Sequence, residues 1–160
     1  PGAFPDRYEK GKERLESIFG LKVVPTKHAL KNPDWLYENP KARAEDLMDA
    51  FRDSSIKGIF SSIGGDDTIR LLPYIDFDVI KQNPKIFVGF SDTTVNHFIC
   101  LKAGISSFYG PSVMTGFAEN VEMFDYSIQG IKRVLFSNDI IGEIPKNNQG
   151  WTKEFLDWAD

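Results

Sequence analysis

The residue types best suited to chemistry in this sequence gather at two short stretches. The first is Gly89-Phe90-Ser91-Asp92-Thr93, where the apolar run of "KIFVGF" ends and a helical pattern begins. A serine on a sharp strand-to-helix turn stands clear of the backbone at a helix N-terminus. The N–H of the following residue, Asp92, can then face a developing oxyanion. The usual signature of such a turn is G-x-S-x-G; here the first glycine is present and Thr93 replaces the second. A serine followed by an aspartate is also a good helix start, because the hydroxyl caps free N–H groups and the carboxylate suits the positive helix end. Taken alone, the stretch admits both a nucleophile and a cap.

The second stretch is Gly64-Gly65-Asp66-Asp67, directly after the apolar segment "IKGIFSSI". Paired glycines let a backbone approach a ligand closely and present its N–H groups, as oxyanion holes and phosphate cradles both require. The lysine and spacing of a P-loop are absent, as is G-x-G-x-x-G, and two aspartates would repel phosphate. Plain turn glycines are the other reading. For Ser91 to act, a base is needed, usually a histidine oriented by a carboxylate. Only His28 and His97 exist. His97 lies six residues beyond Ser91 on the same predicted helix, about 240° around its axis, so its ring points away from the hydroxyl. His28 sits in a loop with no motif around it. If Ser91 is catalytic, its base is expected outside this sequence.

These stretches need elements to hold them. Tyr8, Leu15, Ile18 and Phe19 predict an amphipathic helix over 6–19 closed by Gly20. "LKVVP" predicts a short strand, and 26–39 a loop punctuated by Asn32-Pro33 and Asn39-Pro40. Asn39 is expected to cap a helix in which Ala44, Leu47, Met48 and Phe51 form one apolar face. "IKGIFSSIGG", ending in the paired glycines, and "KIFVGF" predict buried strands, with short helices in "DDTIRLLPYI" and "FDVIKQNP" between them. A helix from Asp92 to Lys102, a strand in "ISSFYG", a helix from Val121 to Phe136, a strand-like "DIIGEIP" and a closing helix in "WTKEFLDWAD" complete the pattern. Strands alternate with helices and are apolar on both faces. That predicts an α/β fold with a mostly parallel sheet flanked by helices on both faces, a flavodoxin- or Rossmann-like layered domain. Ligands bind such sheets at the carboxyl ends of the strands, where both stretches fall.

The composition fits a globular domain: 160 residues, 41% hydrophobic and 26% charged. A net charge of −4 argues against nucleic acid or an anionic membrane as partner. No apolar run is long enough for a membrane span. The one cysteine, Cys100, excludes an internal disulfide, fits a reducing compartment and is expected to be a buried small hydrophobe.

The stretch "IFSSIGGDDTIRLLPYIDFDVIKQNPKIFVGFSDTT", followed by "HF", "AG" and "FYGPSVM", resembles the LD-carboxypeptidase family of serine peptidases. The resemblance runs through nearly the whole chain and is densest from Ile59 to Met114. It implies a Ser-Glu-His triad with Ser91 as nucleophile and an oxyanion hole from the backbone N–H groups of Asp92, Gly64 and Gly65. It further implies a cytoplasmic, commonly homodimeric enzyme that needs no metal or organic cofactor. In that light residues 1–160 are an N-terminal nucleophile domain lacking its first strand. The Glu and His belong to a C-terminal domain absent from these residues, so these residues alone are expected to be inactive.

Two branches fit the resemblance. One trims the terminal D-residue from murein tetrapeptides in peptidoglycan recycling. The other is similar to microcin C immunity carboxypeptidases, which cut the amide joining a peptide or aminoacyl group to a nucleotide-like moiety. "SxIGGDD" and "GWTKEFLDW" favour the second. Asp66 and Tyr109, each just past a predicted strand end, are candidate substrate contacts; a surface turn residue and a core-edge aromatic are the plainer readings. A non-catalytic α/β module that binds a small ligand through Gly64-Gly65 and the helix N-terminus is the rival from outside enzymology.

Overall fold

The computed structural model describes residues 2, 4–154, 157 and 158. Three parallel strands form the sheet: β1 (Gly58–Phe60), β2 (Ile86–Gly89) and β3 (Phe108–Tyr109), in the order β1-β2-β3. Phe60 stands opposite Val88, and Gly89 opposite Tyr109, so all three strands end at one edge of the sheet. The strand expected to run on to the glycine pair stops at Phe60, because the Ser61 and Ser62 carbonyls turn to the Val113 and Met114 N–H groups; the chain beyond β1 still stays bonded to its neighbours. Ser61 N–H donates to the Val88 carbonyl at 2.9 Å, and the Ser61 carbonyl accepts from Val113 at 3.0 Å.

Successive strand residues face opposite sides of a sheet, and here the two sides carry two cores. Ile59 packs with Met48, Phe51, Ile80, Phe87, Ile99 and Cys100, drawn largely from helices α3 (Pro40–Arg52), α4 (Phe77–Gln82) and α5 (Thr94–Ala103). Phe60 packs with Tyr8, Leu15, Phe117, Met123 and Ile131, drawn from α1 (Pro5–Phe19), the 113–123 loop and α6 (Asp125–Leu135). Helices therefore cover both faces, as the alternating pattern requires. Helix α1 begins with Pro5 in its first turn and stops at Gly20, whose left-handed φ of 67° returns its N–H to Glu16 and Leu15. Cys100 is buried in the first of these cores.

Several expected elements are absent or displaced. Residues 21–25 form no strand: the Val23 N–H is taken by the Glu16 carboxylate at 3.2 Å. A cavity of about 660 Å³, lined by Val23, Pro25, Ile59 and Phe60 among others, separates that segment from β1. A strand needs a neighbour within hydrogen-bonding reach, and here there is a gap. The 26–39 stretch is not all loop, because α2 (Pro33–Glu38) forms within it, capped by Asn32. Asn39 does not cap α3 through its side chain; its Nδ2 turns back to donate to the Trp35 carbonyl at 2.8 Å. Helix α6 starts at Asp125 rather than Val121, since Arg14 draws the carbonyls of Phe117, Glu119 and Val121 into a loop against α1. "DIIGEIP" pairs with no strand among the described residues, and Ile140 is fully exposed. Residues 151–154 are not helical, and Phe155, Leu156, Ala159 and Asp160 of the expected closing helix lie outside the described residues.

Candidate active site

Strand β2 delivers Ser91 to the sheet edge. Phe87 and Val88 are buried, Gly89 ends the strand, and Phe90 is extended with φ −152° and ψ −175°. The backbone then reverses at Ser91, whose φ is 62°; among the described residues it is the one non-glycine with a positive φ. A β-carbon in that region costs about 1–3 kcal/mol and persists only where the surroundings enforce it. Gly89 helps to enforce it. A β-carbon there would collide with the Ser61 hydroxyl and the Thr93 methyl, so only glycine lets β1 and the turn close together. A single 3-10 turn, Ser91–Thr93, leads into α5, and the Thr94 hydroxyl holds it by donating to the Ser91 carbonyl at 2.6 Å.

Ser91 does not cap this helix with its side chain. Its residue is exposed, and no hydrogen bond reaches its hydroxyl among the described residues. The choice between cap and free hydroxyl, open in the sequence, is settled by φ: the left-handed turn carries the side chain off the helix end. The Ser91 N–H donates to the Tyr109 hydroxyl at 3.2 Å. Tyr109 is two-thirds exposed and stands at the end of β3, beside the serine.

The glycine pair forms the opposite wall. A β-carbon added to Gly64 would lie 2.9 Å from the Ser91 β-carbon, 3.0 Å from its Oγ and 3.4 Å from the Asp92 nitrogen. One added to Gly65 would lie 3.3 Å from Asp92 Oδ2. The structure thus brings Gly64, Gly65, Ser91, Asp92 and Tyr109 together at one strand edge. Asp66 follows at once and is exposed to solvent.

The Asp92 carboxylate, suited by position to the start of its own helix, reaches instead to the loop after the glycine pair. Its Oδ2 accepts hydrogen bonds from Asp67 N (3.1 Å), Thr68 N (2.9 Å) and Thr68 Oγ1 (2.6 Å). Asp67 in turn pairs with Arg43 of α3 at 2.7 Å. These partners are 24 or 25 residues apart in the chain, and no local pattern signals them. The histidines are both occupied. His97 is held through its two ring nitrogens by Gly89 and Ser107, and His28 by Asp46, with its ring stacked on Trp35. Among the described residues no group of three or more His, Cys, Asp or Glu is arranged to hold a metal ion. What the site offers is an exposed, strained hydroxyl between closely packed backbone walls, a geometry suited to nucleophilic attack on a carbonyl.

Known proteins share this arrangement of sequence and fold. The family described as the LD-carboxypeptidase N-terminal domain matches residues 1–110. The microcin C7 self-immunity protein MccF of Escherichia coli is 32% identical over 159 residues, covering 97% of this chain and 45% of that protein. A probable murein peptide carboxypeptidase of Bacillus subtilis is 40% identical over 103 residues, covering 63% and 32% of the two chains. The crystal structure of an MccF-like protein from Streptococcus pneumoniae in complex with AMP superposes with a TM-score of 0.77 at 42% identity, over 86% of this chain and 41% of that one. The chain spans somewhat less than half the length of the microcin-immunity relative it matches.

Proposed function

The chain belongs to the LD-carboxypeptidase family, and from that premise we propose that residues 1–160 carry the nucleophile of a serine-type carboxypeptidase. The observation that supports this most is Ser91 itself, an exposed serine at φ 62° at the end of a buried strand. Strain of this kind would be lost cheaply by placing a glycine there, so its retention points to a use for the hydroxyl.

In the proposed reaction Ser91 Oγ attacks the carbonyl carbon of the scissile amide while a base takes its proton. The tetrahedral oxyanion is met by the N–H groups of Asp92, Gly64 and Gly65. The base then returns the proton to the leaving nitrogen, the C–N bond breaks, and water hydrolyses the acyl-enzyme. His97 and His28 are tied to other partners, which supports a His base and an orienting Glu contributed from outside these 160 residues, in a second domain. Asp66 and Tyr109 border the crevice and are assigned to substrate contact.

For the substrate we infer an aminoacyl or peptidyl nucleotide of the microcin C kind. Similarity to the microcin-immunity protein extends over 97% of the chain, and the pneumococcal relative was solved with AMP. The murein tetrapeptide is the second reading, favoured by the 40% identity to the probable murein peptide carboxypeptidase. The cytoplasm as compartment and a homodimer as assembly follow the same family reading. The test is Ser91→Ala in the full-length protein, assayed on aminoacyl sulfamoyl adenosine and on murein tetrapeptide. Loss of hydrolysis with unchanged circular dichroism supports the assignment, and full activity overturns it. The larger kcat/KM of the wild type between the two substrates decides the branch.

A further inference from the structure

One carboxylate oxygen ties together the two loops that make the crevice. Asp92 Oδ2 accepts three hydrogen bonds, and all three donors lie on the loop that follows the glycine pair. The seven-residue 3-10 helix Thr68–Tyr74 begins there, and its own N-cap residue, Asp67, makes no side-chain cap bond. The Asp67 carboxylate is engaged instead by Arg43, which fastens the far side of the loop to α3. The free N–H groups at the start of that helix are therefore satisfied from across the crevice, by the residue next to Ser91. Charge-assisted bonds of this type are the stronger ones.

The consequence is geometric. Gly64 and Gly65 are linked through Asp66 to the donors on Asp67 and Thr68, so holding those donors holds the glycine wall. Close approach of Gly64 to Ser91 and of Gly65 to Asp92 accompanies this link. We propose that Asp92 is a positioning residue whose carboxylate sets the gap between the glycine pair and the Ser91 hydroxyl. This rests on the reading of Ser91 as nucleophile. The Ser91-Asp92 pair then acts at three points: a hydroxyl to attack, a backbone N–H for the oxyanion, and a carboxylate that keeps the other donors in place. Oxyanion donors work only within about 2.7–3.1 Å of the charge they meet, and a misplacement of about 1 Å can cost about 100-fold in rate.

The experiment uses the full-length protein and the variants Asp92→Ala, Asp92→Asn, Thr68→Val and Ser91→Ala. Turnover of aminoacyl sulfamoyl adenosine is measured together with affinity for an aminoalkyl boronic acid, whose serine adduct is tetrahedral and anionic. Asp92→Ala is expected to lower kcat about 100-fold with KM within about threefold, and to weaken the boronic acid in proportion to kcat/KM. Asp92→Asn keeps an acceptor in the same place and should recover to within about tenfold of wild type. Thr68→Val, which removes one donor of three, should fall between Asp92→Ala and wild type. If Asp92→Ala does not fold, the order wild type, Thr68→Val and Asp92→Asn against boronic acid affinity carries the same test. The proposal is overturned alone if Ser91→Ala is dead while the Asp92 and Thr68 variants keep wild-type kcat and boronic acid affinity, even with a lower Tm. It falls together with the nucleophile reading if Ser91→Ala remains active.

Discussion

His97 Nε2 lies 2.8 Å from the carbonyl oxygen of Gly89, two residues before Ser91. A carbonyl can only accept, so Nε2 is the donor here, and Nδ1 lies 2.9 Å from the Ser107 hydroxyl oxygen. The same Gly89 carbonyl accepts from Gly110 N–H at 3.0 Å. The strand end that launches the Ser91 turn is therefore pinned from β3 and from α5 at once, and the imidazole also packs edge-on against Phe87.

This makes His97 a support for the turn and not a base. His97→Phe keeps the ring and removes the donor, so it should destabilise the protein by about 1–3 kcal/mol in urea unfolding. His97→Gln, which can still donate, should restore part of that. In the full-length protein either variant is expected to keep more than a tenth of wild-type turnover. A loss as deep as that of Ser91→Ala would identify His97 as the base.

The φ of 62° at Ser91 predicts a stability trade against function. Ser91→Gly and Ser91→Ala both remove the hydroxyl, and only glycine relieves the strain. Ser91→Gly should therefore unfold at higher urea than Ser91→Ala, by about 1 kcal/mol. Equal midpoints and slopes for the two would show that the turn holds no strain.

Gly64→Ala probes the opposing wall. The new methyl would sit 2.9 Å from the Ser91 β-carbon and 3.0 Å from its oxygen, so one wall must move. Turnover by the full-length variant should drop by about 100-fold or more, with circular dichroism unchanged. Near wild-type turnover would mean that the crevice is not the reaction site.

Cys100 gives a pH prediction. Burial pushes its thiol from the ordinary 9.0 up to about 11. Between those values the unfolded chain loses a proton that the folded protein keeps. The stability from burying the neutral thiol is thus complete below about pH 9 and is lost as pH rises from 9 through 11. Urea unfolding of wild type against Cys100→Ala should show a difference that is flat below pH 8 and shrinks above pH 9. A difference independent of pH up to 11 would contradict it. The same burial predicts slow reaction with a thiol reagent at neutral pH.

What could be read along the chain was whatever a few neighbouring residues decide. Helix α1 and its Gly20 stop follow from an apolar stripe and one glycine able to adopt φ 67°. The buried strand at Ile86–Gly89, the turn at Ser91 and the helix beyond it follow from an apolar run, a glycine and a serine in sequence. The parallel α/β class follows from apolar strands alternating with helices. "LKVVP" has the same composition as a strand and is not one, because strand formation depends on a partner edge that the fold does not place beside it. Asn39 and Val121 misled for a related reason. Each sits where a local signal for a helix start exists: the Asn39 side chain is turned back by its amide onto the Trp35 carbonyl four residues earlier, and the Val121 carbonyl is drawn away by Arg14, 107 residues distant.

The site divides along the same line. Sequence by itself determined which residues are available for chemistry at the two strand ends, since a serine after a strand and a glycine pair are local facts. Only the tertiary structure decided that Ser91 points free of the helix it could have capped, that Gly64 lies against it, and that Asp92 bonds Thr68 across the crevice. The last two relations join residues more than twenty positions apart. They depend on parallel strands lying side by side in register, which is a property of the packed sheet and of no single segment.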